Sequence, residues 1–224
     1  MSMNDVLMSV YRELFRAYGR QHWWPGETPF EVCIGAILTQ NTAWTNVDRA
    51  IRNLKAAGAL NAAALRALPQ DELATLIKPS GYFNVKARKL KEFVRWLGAR
   101  CGDDLDALFA AETGRLREEL LAVHGIGEET ADSILLYAGG KPVFVIDAYT
   151  RRVFERLGLA PEPGHRYADF QQQFMDNLPP DVPLYNEYHA LIVQLGKGTC
   201  RPAPRCGECP LNRGRDGDYP CRRR

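Results

Sequence analysis

The chain has 224 residues, is 46% hydrophobic and carries a formal net charge of +2 at pH 7. This length and apolar content suffice for the core of one or two domains. No apolar stretch has the length of a membrane span, and the N-terminus lacks the layout of a secretion signal. We therefore expect a cytoplasmic protein, nucleoid-associated if bacterial, that does not enter a membrane. The modest net charge does not by itself indicate a nucleic-acid-binding protein.

Apolar residues at helical spacing predict a first helix over residues 4–18. Two prolines and a glycine between positions 25 and 29 exclude a helix there and leave Trp23 and Trp24 on a loop. A mainly apolar helix over residues 30–39 leads into Gln40. Further helices are predicted over residues 45–57, 71–77, 85–101, 112–123, 148–157, 167–177 and 184–197. Because no segment shows strong alternation of apolar and polar residues, we expect an all-α protein.

Basic side chains are concentrated in two segments of the chain. Six lysines and arginines lie between positions 86 and 100 against a single acid, Glu92, and seven arginines lie in the last 25 residues against three acids. A solvated helix face is one interpretation of the first segment, and a surface that binds phosphate is the other. The presence of two such segments favours phosphate contacts, with Lys86 and Arg88 as candidate DNA-binding residues.

A helical hairpin is predicted over residues 113–140. Gly125 and Gly127 stand between its two helices, and glycine allows the positive φ angles that a sharp turn requires. Glu129 lies in the first turn of the second helix, where the helix dipole favours an acid, and apolar residues continue at helical spacing to position 138. Backbone N–H groups exposed at such a turn can bind a phosphate without reading the base sequence.

Two polar residues are of interest in the segments after the hairpin. A short strand-like run over residues 143–146 leads to Asp147, which stands directly before the helix predicted over residues 148–157. Aspartate caps a helix start well, and a capping carboxylate is also held rigidly, so capping and a catalytic role are compatible. His189, in the last predicted helix, is interpreted as a packed or hydrogen-bonded core residue.

The six cysteines fall into two groups. Cys33 and Cys101 lie in apolar helical patterns and are interpreted as small buried hydrophobic residues. The other four crowd the C-terminus with the spacing C-x5-C-x2-C-x11-C, and they are Cys200, Cys206, Cys209 and Cys221. Four thiolates in one short tail can surround a soft metal centre, whereas disulfides suit a secreted chain. Zinc and a [4Fe–4S] cluster both accept four cysteines, and the spacing alone does not separate them.

The hairpin followed by an aspartate at this distance resembles the signature of the endonuclease III superfamily of helix-hairpin-helix DNA glycosylases. The resemblance covers about residues 30–221 and implies a monomer with two helical domains. The first would be a six-helix barrel over residues 29–141 that carries the hairpin, and the second would combine residues 1–28 with 142–224. Double-stranded DNA containing a damaged base would bind in a groove between them, and Asp147 would be the catalytic carboxylate.

Three further features take a role from this resemblance. Gln40 matches a glutamine that fills the gap left by an extruded nucleotide. Glu129 stands where members that also cleave the DNA backbone carry a lysine, whose amine forms a Schiff base with the sugar, so we expect weak or absent AP lyase activity. Many members end in a [4Fe–4S] cluster with the pattern C-x6-C-x2-C-x5-C. The cysteine motif is therefore interpreted as an iron–sulfur site, with zinc as the alternative, although its last gap is six residues longer.

The segments HWWPGE and TQNTAW resemble the pocket of the 3-methyladenine DNA glycosylase III subfamily, in which aromatic residues sandwich the flipped base. Trp23, Trp24, Pro25 and Trp44 are therefore the candidate base-binding residues. A 3-methyladenine base is cationic, leaves easily and suits aromatic walls, because cations bind to the faces of tryptophan rings. The resemblance thus implies a monofunctional glycosylase for alkylated purines, with Glu129 at the pocket mouth.

Two other interpretations remain open. An enzyme with the same fold could act on oxidised pyrimidines or on mismatched bases. In that case the tryptophans would not bind alkylated purines. Alternatively, the protein could be a non-catalytic iron–sulfur protein that binds DNA lesions. The presence of Asp147 at the position of the superfamily's aspartate counts against this second alternative.

Overall fold

The structure, a computed structural model, describes residues 2–161 and 166–213. The α-helices in chain order are α1 (Met3–Tyr18), α2 (Pro29–Leu38), α3 (Trp44–Ala56), α4 (Ala62–Ala67), α5 (Gln70–Leu76), α6 (Phe83–Cys101), α7 (Leu105–Phe109), α8 (Thr113–Leu121), α9 (Glu128–Ser133), α10 (Ala148–Arg156), α11 (Tyr167–Asn177) and α12 (Val182–Gly198). No strand occurs within the described ranges, which confirms the all-α prediction there. Every helix in these ranges is too short or too polar to cross a lipid bilayer.

The described residues form two compact units, one of residues 24–141 and one of residues 2–23 with those from 142 onward. The unit of residues 24–141 is built around α2. All of residues 31–38 are buried, and α2 packs against α3, α6, α9 and the turn that follows α9. Thr28 caps α2 and Pro29 occupies its first position, which explains where the helix begins. A helix without a polar face is stable only when other helices surround it, so α2 is the core of this unit.

The predicted hairpin consists of α8, a turn and α9, and an ion pair joins the two helices. The guanidinium of Arg117 lies 2.7 and 3.0 Å from the two carboxylate oxygens of Asp132. Asp132 is fully buried, so this bidentate contact satisfies a charge that would otherwise be strongly destabilising. The ion pair therefore fixes the position of α9 against α8.

The second hairpin helix departs from the regular helix that the sequence predicts. α9 ends at Ser133, and the chain continues as one π-helical turn, Ile134–Ala138. Gly139 closes this turn by donating its N–H to the Ile134 carbonyl at 3.0 Å. Phe109 approaches so closely that a Cβ at position 139 would lie 2.7 Å from its ring. The π-helical turn therefore occurs where Gly139 packs closely against Phe109 of α7. Apolar periodicity in the sequence does not predict this contact.

Residues 143–146 do not form the strand-like element that the sequence predicts. They are buried, but side chains of α11 satisfy their backbone instead of a second strand. The Ile146 N–H donates to the Tyr167 hydroxyl at 3.2 Å, and Gln171 Nε2 donates to the Phe144 carbonyl at 2.8 Å. The segment is therefore a buried connection held by a helix.

The second unit has an aromatic core. Phe144 and Phe174 stack with ring centroids 4.0 Å apart, and Tyr185 and Tyr188 meet the Phe144 ring edge-on. α12 packs against α1 and α10, and the Tyr188 hydroxyl donates to the Leu7 carbonyl at 2.7 Å. This packing places the start of α10 against α12.

Lys86, a predicted DNA contact, is buried within the unit of residues 24–141. It is 2% exposed, and its Nζ donates to the carbonyls of Leu38 and Ser80 at 2.8 and 2.7 Å. Burial, and then the charge of Lys89, lowers the pKa of Lys86 to about 8. The prediction that Lys86 contacts DNA was wrong, because its ammonium satisfies two carbonyls inside the protein.

The rest of the basic segment is divided between structural contacts and solvent. Lys91 donates to the Leu68 carbonyl, and Arg95 pairs with Glu92 at 2.6 Å. Arg88, the other predicted DNA contact, is exposed on α6. Of the two candidates, only Arg88 is exposed, and its contact with DNA stays a prediction.

Candidate active site and DNA-binding hairpin

Asp147 occupies the N-cap position of α10, which confirms its predicted capping role. Its Oδ1 accepts the Thr150 N–H at 2.7 Å and the Thr150 hydroxyl at 2.9 Å. Its Oδ2 lies 3.7 Å from Nε2 of His189, a buried residue of α12. One carboxylate oxygen therefore holds the helix start, while the other faces the histidine.

The surroundings of Asp147 favour its ionised form. Burial raises the pKa of Asp147, because a buried carboxylate loses its hydration. The close approach of His189, 3.7 Å from Oδ2, and the two hydrogen bonds from Thr150 lower the pKa further than burial raises it, so the net pKa lies below the usual value. A fixed, buried negative charge of this kind can stabilise a positive charge that develops on a bound molecule.

Trp24 and Trp44 pack against each other in the unit of residues 24–141. Their ring centroids are 5.1 Å apart with 85° between the ring planes, and Tyr137 packs against Trp24 at 5.1 Å and 34°. A base is sandwiched only by two parallel rings with a ring's thickness of space between them. Trp24 and Trp44 meet edge to face and so do not form parallel walls with each other, and the base-binding role of the four candidate residues stays a prediction.

Trp23 belongs to the unit that contains Asp147. Lys197 of α12 stands over its indole, with Nζ 5.7 Å from the ring centroid, at the distance of a cation–π contact. Trp23 is partly buried, and Pro25, which is also a predicted base-binding residue, is exposed. The candidate base-binding residues are thus distributed over both units.

Gln40 lies directly after α2 and contacts the hairpin. Its Nε2 donates to the Gly125 carbonyl and to the Thr130 hydroxyl, each at 3.0 Å, and its Oε1 accepts a bond from Lys89. Both hydrogens of the side-chain amide are therefore used within the protein. The predicted gap-filling role would require Gln40 to exchange these bonds for contacts with DNA.

The two hairpin glycines differ in conformation and surroundings. Gly125 has a φ of +90°, and a Cβ there would lie 2.4 Å from Cγ of Lys89, so glycine is needed for two reasons. Gly127 has a φ of −99° and a ψ of −179°, and a Cβ there would meet nothing within 4 Å. The positive φ that a sharp turn requires occurs at Gly125 and not at Gly127. Gly127 instead leaves open space beside the turn.

Glu129 is the second residue of α9 and is exposed. Its backbone carbonyl accepts the Ser133 hydroxyl at 2.7 Å, and its carboxylate stands in the first turn. The helix dipole favours a negative charge there. The N-terminal turn of α9 therefore presents a carboxylate to solvent and not an amine.

A family model described as the HhH-GPD superfamily of base excision DNA repair proteins matches residues 34–180. The chain belongs to this superfamily. It is 45% identical over 208 residues to a protein of Methanocaldococcus jannaschii that is provisionally named a DNA repair glycosylase, covering 92% of this chain and 94% of that protein. It is 30% identical over 212 residues to endonuclease III of Thermotoga maritima, covering 92% of this chain and 90% of the relative.

The fold is shared with solved structures of DNA repair enzymes. The chain is similar to the H. pylori 3-methyladenine DNA glycosylase bound to 1,N6-ethenoadenine, with a TM-score of 0.73 and 27% identity over 88% of this chain and 98% of that one. A non-covalent endonuclease III–DNA complex has a TM-score of 0.79 at 21% identity, covering 94% of each chain, which is a likeness of fold alone. These findings confirm the predicted superfamily and the likeness to the 3-methyladenine glycosylase branch, and they assign this HhH-GPD chain to the base excision repair DNA glycosylases.

Three of the four predicted metal ligands of this HhH-GPD chain lie in its described part. Cys200, Cys206 and Cys209 line one pocket, and Arg156 Nη1 lies 3.4 Å from Cys200 Sγ. Cys221 lies outside the described residues. Within residues 2–161 and 166–213, no three Cys, His, Asp or Glu side chains form a group that could hold a metal ion. Cysteine sulfurs are the donors that an iron–sulfur cluster takes, so the residue types predicted as ligands fit such a cluster.

The structure adds three residues to the sites that the sequence did not single out. Thr150 holds Asp147, Lys89 binds Gln40, and Tyr137 packs on Trp24. The Thr150 contact could have been found, because the N–H three residues after an N-cap faces the capping side chain. The contacts of Lys89 and Tyr137 join elements that are distant in sequence, so no local pattern indicates them.

Proposed function

We propose that this protein is a monofunctional DNA glycosylase that hydrolyses the N-glycosidic bond of alkylated purines, such as 3-methyladenine, in double-stranded DNA. The observation that carries the proposal is the buried carboxylate of Asp147, fixed at the start of α10 soon after the hairpin of a DNA repair superfamily. The similarity to an H. pylori 3-methyladenine DNA glycosylase bound to 1,N6-ethenoadenine supports a modified adenine as the substrate.

In the proposed reaction, Asp147 acts on the sugar of an extruded nucleotide. The bond between C1′ and the base nitrogen breaks, its electron pair leaves with the base, and positive charge develops on the sugar ring. The ionised carboxylate stabilises that charge. Because Thr150 occupies Oδ1, the Oδ2 atom on the His189 side is the one that orients or deprotonates the attacking water. Water then adds to C1′ and leaves an abasic site.

The aromatic residues support a cationic base that leaves easily. An alkylated purine such as 3-methyladenine is positively charged while attached to the sugar, so its release needs little help from a general acid. Tryptophan rings attract such a cation, and Trp24 and Trp44 are partly exposed beside the exposed Pro25, whereas Lys197 already stands over the Trp23 ring. In this proposal the base stacks on one face of Trp24 or Trp44, since their mutual contact leaves no slot between them.

The absence of AP lyase activity follows from Glu129. Backbone cleavage by a lysine-bearing relative requires an amine that attacks C1′ and forms a Schiff base. A carboxylate at this accessible position of α9 cannot form that bond. We therefore propose that the reaction ends at the abasic site, with Glu129 at the mouth of the pocket.

DNA would be bound mainly through its backbone. The turn at Gly125 and Gly127 would present its N–H groups to a phosphate, and the exposed Arg88 would add a positive charge. The four cysteines, Cys200, Cys206, Cys209 and Cys221, would hold a [4Fe–4S] cluster, with zinc as the alternative. A bound cluster would cross-link the C-terminal segment and so have a structural role.

The deciding experiment measures base release from alkylated DNA and then, separately, strand cleavage at the resulting sites. Release of 3-methyladenine without cleavage is the expected result. A protein that releases no alkylated base but acts on oxidised pyrimidines would contradict the substrate proposal and leave the glycosylase assignment in place. Iron and zinc analysis of the same preparation, with a visible absorbance spectrum, tests the cluster.

The second candidate is a glycosylase for oxidised pyrimidines or mismatched bases. The observation in its favour is the 30% identity to endonuclease III of Thermotoga maritima over nearly the whole of both chains. A chain of Aeropyrum pernix named a thymine-DNA glycosylase is 27% identical over 206 residues. The base-release assay described above distinguishes the candidates when it includes thymine glycol and G·T duplexes beside methylated DNA.

A further inference from the structure

One connected group of contacts holds the hairpin turn, and we call it the hairpin clasp. It consists of Gln40, Lys89, Gly125 and Thr130. The Gln40 amide donates one hydrogen to the Gly125 carbonyl and one to the Thr130 hydroxyl, while its oxygen accepts from Lys89. The four residues come from the end of α2, from α6, from the turn and from α9. The hairpin clasp therefore ties the turn to the core of its unit.

Packing strengthens these polar contacts. The carbon chain of Lys89 fills the space beside Gly125 so closely that a Cβ would approach its Cγ, Cδ and Cε to 3.0 Å or less. Thr130 is buried, so its hydroxyl depends on protein partners such as Gln40. Lys89 thus contacts the turn through its carbons and holds Gln40 through its ammonium.

We propose that the hairpin clasp positions the turn for binding a DNA phosphate, with Gln40 and Lys89 as positioning residues. Backbone N–H groups bind an anion tightly only when they are held in place before it arrives, because ordering them on binding lowers the affinity. In the protein without DNA, the Gln40 side chain is hydrogen-bonded to the hairpin. It therefore supports the turn rather than contacting a DNA strand. This inference rests on the proposed phosphate binding by the hairpin turn.

An intact duplex separates a positioning role from gap filling, because it contains no extruded base and therefore no gap to fill. We expect Gln40→Ala and Lys89→Met each to weaken binding to intact duplex by about threefold to tenfold, as the loss of one or two hydrogen bonds would. Lys89→Arg keeps a donor and should bind nearly as the wild type does. The double variant should lose little more than the weaker-binding single variant, since both changes open the same clasp.

The measurement is the dissociation constant from fluorescence anisotropy, with Arg95→Met as the control for losing one positive charge on α6. The thermal midpoint of each variant shows whether it is folded at the assay temperature. Wild-type affinity of Gln40→Ala for intact duplex would overturn the inference, and a loss confined to duplexes containing an abasic site would assign gap filling instead. If Lys89→Met and Arg95→Met lose the same affinity for intact duplex while Gln40→Ala keeps its affinity, the loss is caused by net charge and the inference is wrong.

Gly127→Asp tests the underlying proposal separately. Gly127 has an extended backbone and open space around its Cα, and aspartate is a good N-cap, so the fold should tolerate the change. The new carboxylate should repel a phosphate at the turn and weaken duplex binding. If Gly127→Asp binds as the wild type does, the hairpin is not the phosphate site. If it binds weakly while the clasp variants bind normally, only the clasp inference fails.

Discussion

The two helix starts that matter most in this protein, those of α10 and α9, are built in opposite ways. α10 begins at Asp147, whose carboxylate is buried and bonded to Thr150 within its own first turn. α9 begins at Gly127, which has no side chain to cap the helix and lies beside open space. One helix start supplies its own anion, whereas the other leaves room for an anion from outside.

The partners of the two sites differ accordingly. Asp147 is held by its own helix and by His189 of the adjacent α12, so its contacts control ionisation. The hairpin turn is held by Gln40 and Lys89, whose contacts control geometry and leave its outer side open. Under the proposed function, Asp147 needs a fixed charge, whereas the hairpin turn needs a fixed shape to bind a phosphate. Substitutions at Asp147, its partners and the hairpin test this difference.

The largest expected effect is that of Asp147→Asn on base release. The amide keeps an oxygen for the bonds from Thr150, so α10 stays capped while the negative charge is lost. We expect base release to fall by about 100-fold to 1,000-fold, the range seen when one electrostatic contact to a transition state is removed. Single-turnover release from methylated DNA measures the rate, and anisotropy should show unchanged DNA binding.

Asp181→Asn is the matched control, because Asp181 also caps a helix in the same unit. It should release bases at the wild-type rate. An Asp147→Asn protein that retained wild-type turnover would refute the catalytic role of Asp147 and leave only the capping role.

The hairpin glycines should differ in their effect on stability. Gly125→Ala forces a Cβ into a positive-φ position and against Lys89, which should lower the free energy of unfolding by about 1–2 kcal/mol. Gly127→Ala meets neither obstacle and should change it by less than about 0.5 kcal/mol. Urea unfolding followed by circular dichroism measures both. Equal losses would mean that the turn geometry does not distinguish the two positions.

Replacing His189 should change the pH dependence of the reaction. The folded pKa of Asp147 lies below its unfolded value, so its contribution to stability is present above the unfolded pKa and is lost as the pH falls through the folded pKa. In His189→Ala, burial still raises the pKa of Asp147 while the main opposing cause is gone. We therefore expect the acidic limb of the pH–rate profile to move to higher pH.

The profile of His22→Asn, a change at an exposed histidine of the same unit, should keep the wild-type acidic limb. A wild-type profile for His189→Ala would show that this histidine does not control the charge of Asp147.

The smallest expected effect is a gain of function in Glu129→Lys. The new amine would stand at the accessible position of α9 and could form a Schiff base with an abasic site. We expect a weak covalent complex that borohydride reduces to a stable product, visible as a shifted band on a denaturing gel. Glu129→Gln, which removes the charge without adding an amine, should give no such band. A trapped complex in the wild type would instead contradict the proposed absence of lyase activity.

The helical class, the hairpin and the residue that follows it are predictable from the amino-acid sequence. Helical periodicity and capping depend on neighbours three or four residues apart, so the sequence already contains what is needed to place α1, α2 and α10 to within a few residues. The capping role of Asp147 and the positive φ of Gly125 were predictable for the same reason. The resemblance of the motifs to a superfamily then supplied the expected chemistry.

The contacts between polar side chains that are distant in sequence depend on the packing of the helices. Lys86 reaches a carbonyl 48 residues away and is buried, although its sequence context is that of a basic surface. Gln40 contacts Gly125 across 85 residues, and His189 reaches Asp147 from a different helix. Such contacts depend on how helices pack and on where long side chains end. The spacing of residues in the sequence determines neither the helix packing nor the positions of these side-chain ends. The charge environment of Asp147 and the contacts that hold the hairpin can therefore be described only from the folded chain.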